Sequence, residues 1–179
     1  GPVRPSFLTQ PPAWLAATGV YEVGPFQDGE ALSFGATGNV LICRAALRAC
    51  GARFHDRFNF SGGEDVDFFG QLQRAGNAIV AAPRAVAYEE VPADRVSLRW
   101  ALRRRFRTGH SLGLIARHHG GRGHRVYKAL GRLGYGAINA ALGALSSRER
   151  FAKGILDVAW GLGTLAAFLP LQIDQYSKR

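Results

Sequence analysis

The chain has 179 residues, 47% hydrophobic and 20% charged, with 23 Lys and Arg against 13 Asp and Glu for a formal charge of +10. That length and apolar content are enough for one hydrophobic core, expected as one domain with an appendage. Two cysteines, Cys43 and Cys50, exclude a disulfide framework and fit free thiols in a reducing compartment, and no Cys/His spacing resembles a zinc site. Methionine is absent, so the chain is expected to be a processed piece or a fragment of a longer protein. No signal peptide is visible in its first residues.

Residues 1–30 are rich in Pro and aromatics, which predicts irregular chain wrapping a core, with a short helix at Ala13–Ala17. A short strand is expected at Ala31–Phe34, a turn at Thr37-Gly38-Asn39, and a buried strand at Val40–Cys43. Arg44–Ala49 reads as a helix closed by Gly51, a residue type suited to the left-handed position after a helix end. Phe54, Phe58 and Phe60 are expected to anchor core and loops. Glu64–Arg74 carries Val66, Phe69 and Leu72 at helical spacing, with Gly76 as its stop. Two short strands follow, at Ala78–Ala82 and Ala85–Tyr88, around Pro83.

The start of the Glu64 helix is the richest stretch. Glu64, Asp65 and Asp67 put three carboxylates within four positions, directly after Gly62-Gly63. A Gly-Gly turn lets backbone approach a ligand without a Cβ in the way, and a helix N-terminus favours negative charge. Two readings fit: a solvated acidic first turn, or acids mounted at the mouth of a rigid element for general-base chemistry.

Twelve of the 23 basic residues lie between Arg95 and Arg148, a stretch without Asp or Glu that also holds four of the five histidines. Such a segment fits an anionic partner, whether nucleic acid, lipid headgroups or a phosphorylated substrate, or else a solvated basic surface. Leu98–Phe106 predicts an amphipathic helix, with Leu98, Leu102 and Phe106 on one stripe and Arg99, Arg103 and Arg107 beside it. Arginine stems can lie along an interface while their guanidinium groups reach phosphates. Arg117–Arg125 reads as a flexible basic loop.

Two apolar stretches close the chain, Ala129–Leu145 and Gly154–Leu171. Spanning a bilayer needs about 20 apolar residues, and both stretches are short and Gly-rich. Gly136, Ala140 and Ala144 form a small-residue ridge suited to close helix packing. Basic flanks on every side argue against a spanning hairpin, so a helical pair lying in or dipping into a membrane interface is expected. Two ordinary buried helices are the alternative.

Thr37-Gly38-Asn39-Val40-Leu41-Ile42-Cys43-Arg44, Phe54-His55-Asp56-Arg57-Phe58, Gly62-Gly63-Glu64-Asp65-Val66-Asp67-Phe68, Ala82-Pro83 with Val86-Ala87-Tyr88, and Leu98-Arg99-Trp100 occur in that order. This succession resembles the C-terminal half of family-2 glycosyltransferases, of the bacterial type that assembles exopolysaccharide repeat units such as succinoglycan. It covers roughly Gly1 to Ser111. The resemblance implies an α/β, partial GT-A-like fold lacking its N-terminal nucleotide-binding half, over residues 1–111. A basic linker and an apolar helical pair, membrane-associated, follow over 112–179.

It also implies an inverting transfer from a nucleotide-sugar donor to a lipid-linked or oligosaccharide acceptor. Asp65 would act as general base and Glu64 would orient it or hold the acceptor. Gly38, Asn39, Gly63, Asp67, Arg99, Trp100 and Arg103 would bind substrate. The family's Gln-x-x-Arg-Trp motif has Val96 at its Gln position here, and Glu89 or Glu90 stands where a His is often found, so no metal ligand is expected from that point. The family's Asp-x-Asp, which holds Mg2+ or Mn2+, has no counterpart before Glu64, so this chain alone is expected to bind donor poorly. The implied setting is the cytoplasmic face of the bacterial inner membrane, on an anionic surface and without nucleic acid. The competing class is a non-enzymatic basic module that binds a membrane surface or nucleic acid.

Overall fold

The computed structural model describes residues 1–22, 24–58 and 62–169, with Arg57 through its backbone alone. In chain order its elements are β1 (Val3–Phe7), α1 (Ala13–Ala16), β2 (Ala31–Leu32), α2 (Arg44–Cys50), α3 (Glu64–Arg74), β3 (Ile79–Val80), β4 (Ala87–Val91), α4 (Leu98–His119), α5 (Arg122–Ser146) and α6 (Arg148–Ala166). The architecture is mixed α/β, mostly helical with two small sheets. Of the expected anchors, Phe58 is buried and Phe54 is half exposed. Phe60 lies outside the described residues, as do Ser61 and the last two positions of the second apolar stretch.

Two compact units divide the chain. One takes its residues from Gly1–Ser6, Tyr21–Asn59 and Gly63–Glu90, the other from Phe7–Val20, Phe60–Gly62 and Val91–Arg179. In the first unit, β2 and β3 pair antiparallel with Ala31 opposite Val80 and Leu32 opposite Ile79, and β1 pairs with β4. The core gathers on α3. Phe68, Phe69 and Leu72 pack with Ala52 and receive Ile42, Leu47, Cys50 and Ile79. Phe54 stacks on Phe68 with ring centroids 4.4 Å apart, an arrangement of the offset kind that aromatic quadrupoles favour. The run Val40–Cys43 is not a buried strand. Leu41 is 99% exposed, and Ile42 reaches the core, because the run is a short extended lead into α2 with no partner strand among the described residues.

In the second unit, α6 packs against both α4 and α5, and small residues set how closely. Side chains added at Gly109 or Gly163 would strike the backbone carbonyls of Trp160 and Phe106, and one at Gly136 would strike that of Gly154. The expected ridge on α5 is therefore partly right: Gly136 and Ala140 face α6, while Ala144 is exposed and Gly143 meets the backbone at Phe151 instead. α4 also runs thirteen residues past Phe106. The expected loop at Arg117–Arg125 shrinks to Gly120 and Gly121, both at positive φ (87° and 83°).

The outward face of α5 is apolar. Tyr127, Leu130, Tyr135, Ile138, Leu142 and Leu145 are all exposed, and the three- and four-residue spacing from Tyr135 to Leu145 puts those four on one side. No helix among the described residues is long and apolar enough to cross a membrane.

His110 on α4 is buried, with its ring parallel to that of Phe106. Burial holds its pKa below the ordinary histidine value. Below pH about 6.5 the unfolded chain takes up a proton that the folded chain refuses, so stability falls as pH drops through that window. The expected result is a melting temperature that declines between pH 7 and 5, with a shallower decline in His110→Asn. Equal slopes in the two proteins would show that His110 is not the group responsible.

Candidate active site

The acidic cluster sits where α3 begins. Gly62 and Gly63 both take positive φ (70° and 96°), a region open to glycine and costly for residues with a Cβ. That turn starts the helix at Glu64, with Glu64, Asp65 and Asp67 in its first turn. No side chain caps the helix, so the three carboxylates complement the positive end of its dipole.

Asp65 is tied by Thr37. The Thr37 hydroxyl donates to Asp65 Oδ1 at 2.9 Å and the Thr37 backbone N–H to Oδ2 at 3.2 Å. This pairing belongs to a longer register. Gln73 Nε2 donates to the Leu32 carbonyl at 2.8 Å, and a side chain added at Gly35 would fall 2.5 Å from the Phe69 ring. Positions 65, 69 and 73 form one face of α3, and residues 37, 35 and 32 run along it in the opposite sense. The segment from β2 to Thr37 thus lies across the helix, close only because Gly35 has no side chain, and it delivers two donors to one carboxylate. A carboxylate has about four acceptor sites, so Thr37 fixes its direction and leaves the others open to a ligand.

Asp67 has a different position. Expected to bind substrate, it is fully buried and accepts from Gln71 Nε2 at 2.8 Å, with His55 Nε2 3.8 Å away. Gln71 also grips the Arg53 backbone, donating to its carbonyl at 2.9 Å and accepting from its N–H at 3.1 Å. Asp67 therefore holds, through Gln71, the segment that carries Phe54. Removing Gln71 takes a donor from a buried carboxylate and both partners from Arg53, so Gln71→Ala is expected to cost about 1–3 kcal/mol. Urea denaturation checks this, with Gln73→Ala as the milder comparison.

The remaining expected residues fall in both units. Glu64 is half-buried and makes no side-chain hydrogen bond among the described residues. Asn39 spends both N–H bonds of its amide on backbone carbonyls, of Pro2 at 3.0 Å and Ala85 at 2.6 Å, so it braces the turn that follows Thr37. Gly38 lies in that turn, and a Cβ there would make only ordinary contact with Val3. In the helical unit, Arg99 and Arg103 are exposed on α4 and Trp100 is half-buried, its ring 5.2 Å from the Arg104 guanidinium. Ser97 caps α4 by accepting from the Trp100 N–H at 3.2 Å. Thr37, Gly35 and Gln71 were not singled out from the sequence, since nothing local in them announces a partner 28, 34 or 18 positions away.

No group of three or more His, Cys, Asp or Glu side chains gathers among the described residues in a way that would hold a metal ion. No family model matches the sequence, and no solved structure matches it. The chain is 34% identical over 185 residues to the succinoglycan biosynthesis protein ExoM of Rhizobium meliloti (strain 1021), an alignment that takes in the whole chain and spans 59% of that protein's length. In sequence it is thus similar to a protein named for succinoglycan biosynthesis.

Proposed function

We propose that this chain is the acceptor-side part of an inverting family-2 glycosyltransferase with a partial GT-A-like fold, working in exopolysaccharide assembly. The observation that carries the reading is the Asp65 carboxylate, aimed by two Thr37 donors at the start of α3. The similarity to a succinoglycan biosynthesis protein supports it independently.

In this reading an acceptor hydroxyl lies within hydrogen-bond reach of Asp65. Its oxygen attacks the anomeric carbon of a nucleotide-sugar as Asp65 takes the hydroxyl proton. The new C–O bond forms as the bond to the nucleotide diphosphate breaks, and attack opposite the leaving group inverts the centre. Glu64, which makes no side-chain hydrogen bond among the described residues, is available to a second acceptor hydroxyl. Asp67 and Asn39 act through what they hold: the Arg53 segment and the turn after Thr37. Arg99 and Arg103 are the cations offered to diphosphate, with Trp100 beside them. A divalent cation, Mg2+ or Mn2+, would neutralise the leaving diphosphate. The described residues offer no set of ligands for one, so it belongs in this reading with the family's Asp-x-Asp, which has no counterpart before Glu64.

The acceptor is a lipid-linked saccharide, and the helical unit rests on an anionic membrane at the cytoplasmic face of the inner membrane. The exposed apolar face of α5 and its basic surroundings support that placement. Transfer of labelled sugar from a nucleotide donor to lipid extract, catalysed by the polypeptide encoded by the complete reading frame, tests the enzyme. Absence of transfer from every common nucleotide sugar would end the reading. Flotation with vesicles containing anionic lipid tests the membrane placement separately.

A further inference from the structure

The helical unit contains a cavity of about 250 Å³ whose lining includes Arg105 of α4, Arg132, Tyr135 and Asn139 of α5, and Arg150, Lys153 and the carboxylate of Asp157 of α6. Four cations meet there, and their partners differ. Arg132 donates to Asp157 at 2.7 Å and lies over the Trp160 ring, and Lys153 donates to Glu149 at 2.6 Å. The Arg150 Nε–H donates to a neutral acceptor, the Asn139 side-chain oxygen Oδ1, at 3.0 Å. Arg105 has no hydrogen-bond or ion-pair partner among the described residues, although it is half-buried. Burial first, then the neighbouring Arg132 and Arg104 with Asp157 opposing them, push its pKa below the ordinary arginine value. A desolvated guanidinium beside like charges is costly, and pairing with an anion offsets that cost.

One residue of the cavity wall also belongs to a different surface. Tyr135 lines it and belongs to the exposed apolar face of α5, next to Ile138 and Leu142. Guanidinium forks match phosphate oxygens in pairs, and the adjoining face suits hydrocarbon.

We propose that this cavity is a binding site for a phosphate monoester or diphosphate group, gripped by Arg105 and Arg150 with Arg132 and Lys153 supplying the surrounding positive charge. The phosphate belongs either to a lipid headgroup whose chains lie along α5 or to a soluble phosphate compound. The lipid source rests on the membrane placement proposed above, and the phosphate site itself does not.

Calorimetric titration of the 179-residue chain with inorganic pyrophosphate, and with dihexanoyl phosphatidic acid below its micelle concentration, tests the proposal. Saturable one-to-one binding of both is expected, tighter for the lipid, and weakened about tenfold or more by Arg105→Gln and by Arg150→Gln. Binding of pyrophosphate with no gain for the short-chain lipid supports the phosphate site and assigns it to a soluble compound. No saturable binding of either probe overturns the proposal, as does binding that both substitutions leave unchanged.

Folding does not confuse the outcome. Arg105→Gln removes a desolvated charge, so without phosphate it is expected to melt at or above the wild-type temperature, and pyrophosphate should raise the melting temperature of the wild type only. Should Arg105→Gln fail to fold, the exposed Arg150→Gln decides alone. Vesicles of phosphatidylcholine with phosphatidylglycerol separate the two ideas. Flotation that persists without pyrophosphate binding overturns the cavity and spares the membrane placement, and pyrophosphate binding without flotation does the reverse.

Discussion

Asp65→Asn is expected to lower sugar transfer about 100-fold or more in the polypeptide that carries this chain, with nucleotide-sugar affinity nearly unchanged. The substitution keeps the size of the side chain and removes the carboxylate that the proposed mechanism uses as its base, a contribution of about 10²–10⁴ for a positioned base. An interaction made only in the transition state lowers kcat and kcat/KM together, which separates this loss from one of binding. Thr37 provides the second half of the test. Thr37→Val deletes the hydroxyl that donates to Oδ1 at 2.9 Å and keeps the backbone N–H on Oδ2. The carboxylate survives but loses one of its two anchors, so a smaller fall of about tenfold is expected from misplacement. Thr37→Ser should restore most of it, because it returns the donor. Turnover at the wild-type level in Asp65→Asn would remove Asp65 as the base. A fall in Thr37→Val that Thr37→Ser fails to reverse would mean that the threonine matters for packing and not for aim.

The two halves of that arrangement differed in how far the sequence revealed them. α3 was legible to the residue, Glu64 to Arg74, because its signals are local: glycines on both sides, acids in the first turn and an apolar pattern at helical spacing. Thr37 stood in the motif Thr37-Gly38-Asn39 without a role. Its bond to Asp65 depends on the register of an extended segment against a helix, and that register is set by Gly35 passing over Phe69. No pattern along the chain encodes a contact across 28 positions between two ordinary polar residues. The surroundings of Asp67 were hidden for a related reason. Its letter matched Asp65, but the helical period turns it to the other side, where Gln71 and the Arg53 backbone enclose it.

The long helices show the opposite error. α4, expected over Leu98–Phe106, runs on through Gly109 and Gly113 to His119, although glycine disfavours a helix interior. Packing overrides that preference: a glycine inside a helix costs about 1 kcal/mol relative to alanine, and close approach to a second helix more than offsets it.

That balance predicts opposite signs for one substitution at two glycines. Gly109→Ala is expected to destabilise the protein by about 1–3 kcal/mol, the usual cost of forcing atoms into a packed contact. The new methyl would meet the Trp160 carbonyl and the Thr164 backbone nitrogen, both held in α6. The Trp160 carbonyl is held further by the Thr164 hydroxyl, which donates to it at 3.0 Å. Backbone in the middle of a helix cannot swing aside as a side-chain tip can, so α4 and α6 must separate along their length. Gly134→Ala, on the exposed face of α5, meets nothing within 4 Å and should stabilise by up to about 1 kcal/mol through helix propensity alone. Urea midpoints of the two variants against the wild type decide the matter. A Gly109→Ala midpoint at or above that of the wild type would mean that α4 and α6 are not in backbone contact at Gly109. That contact gives a helical unit rich in glycine its cohesion, because closeness of main chains replaces the interlocking of large side chains.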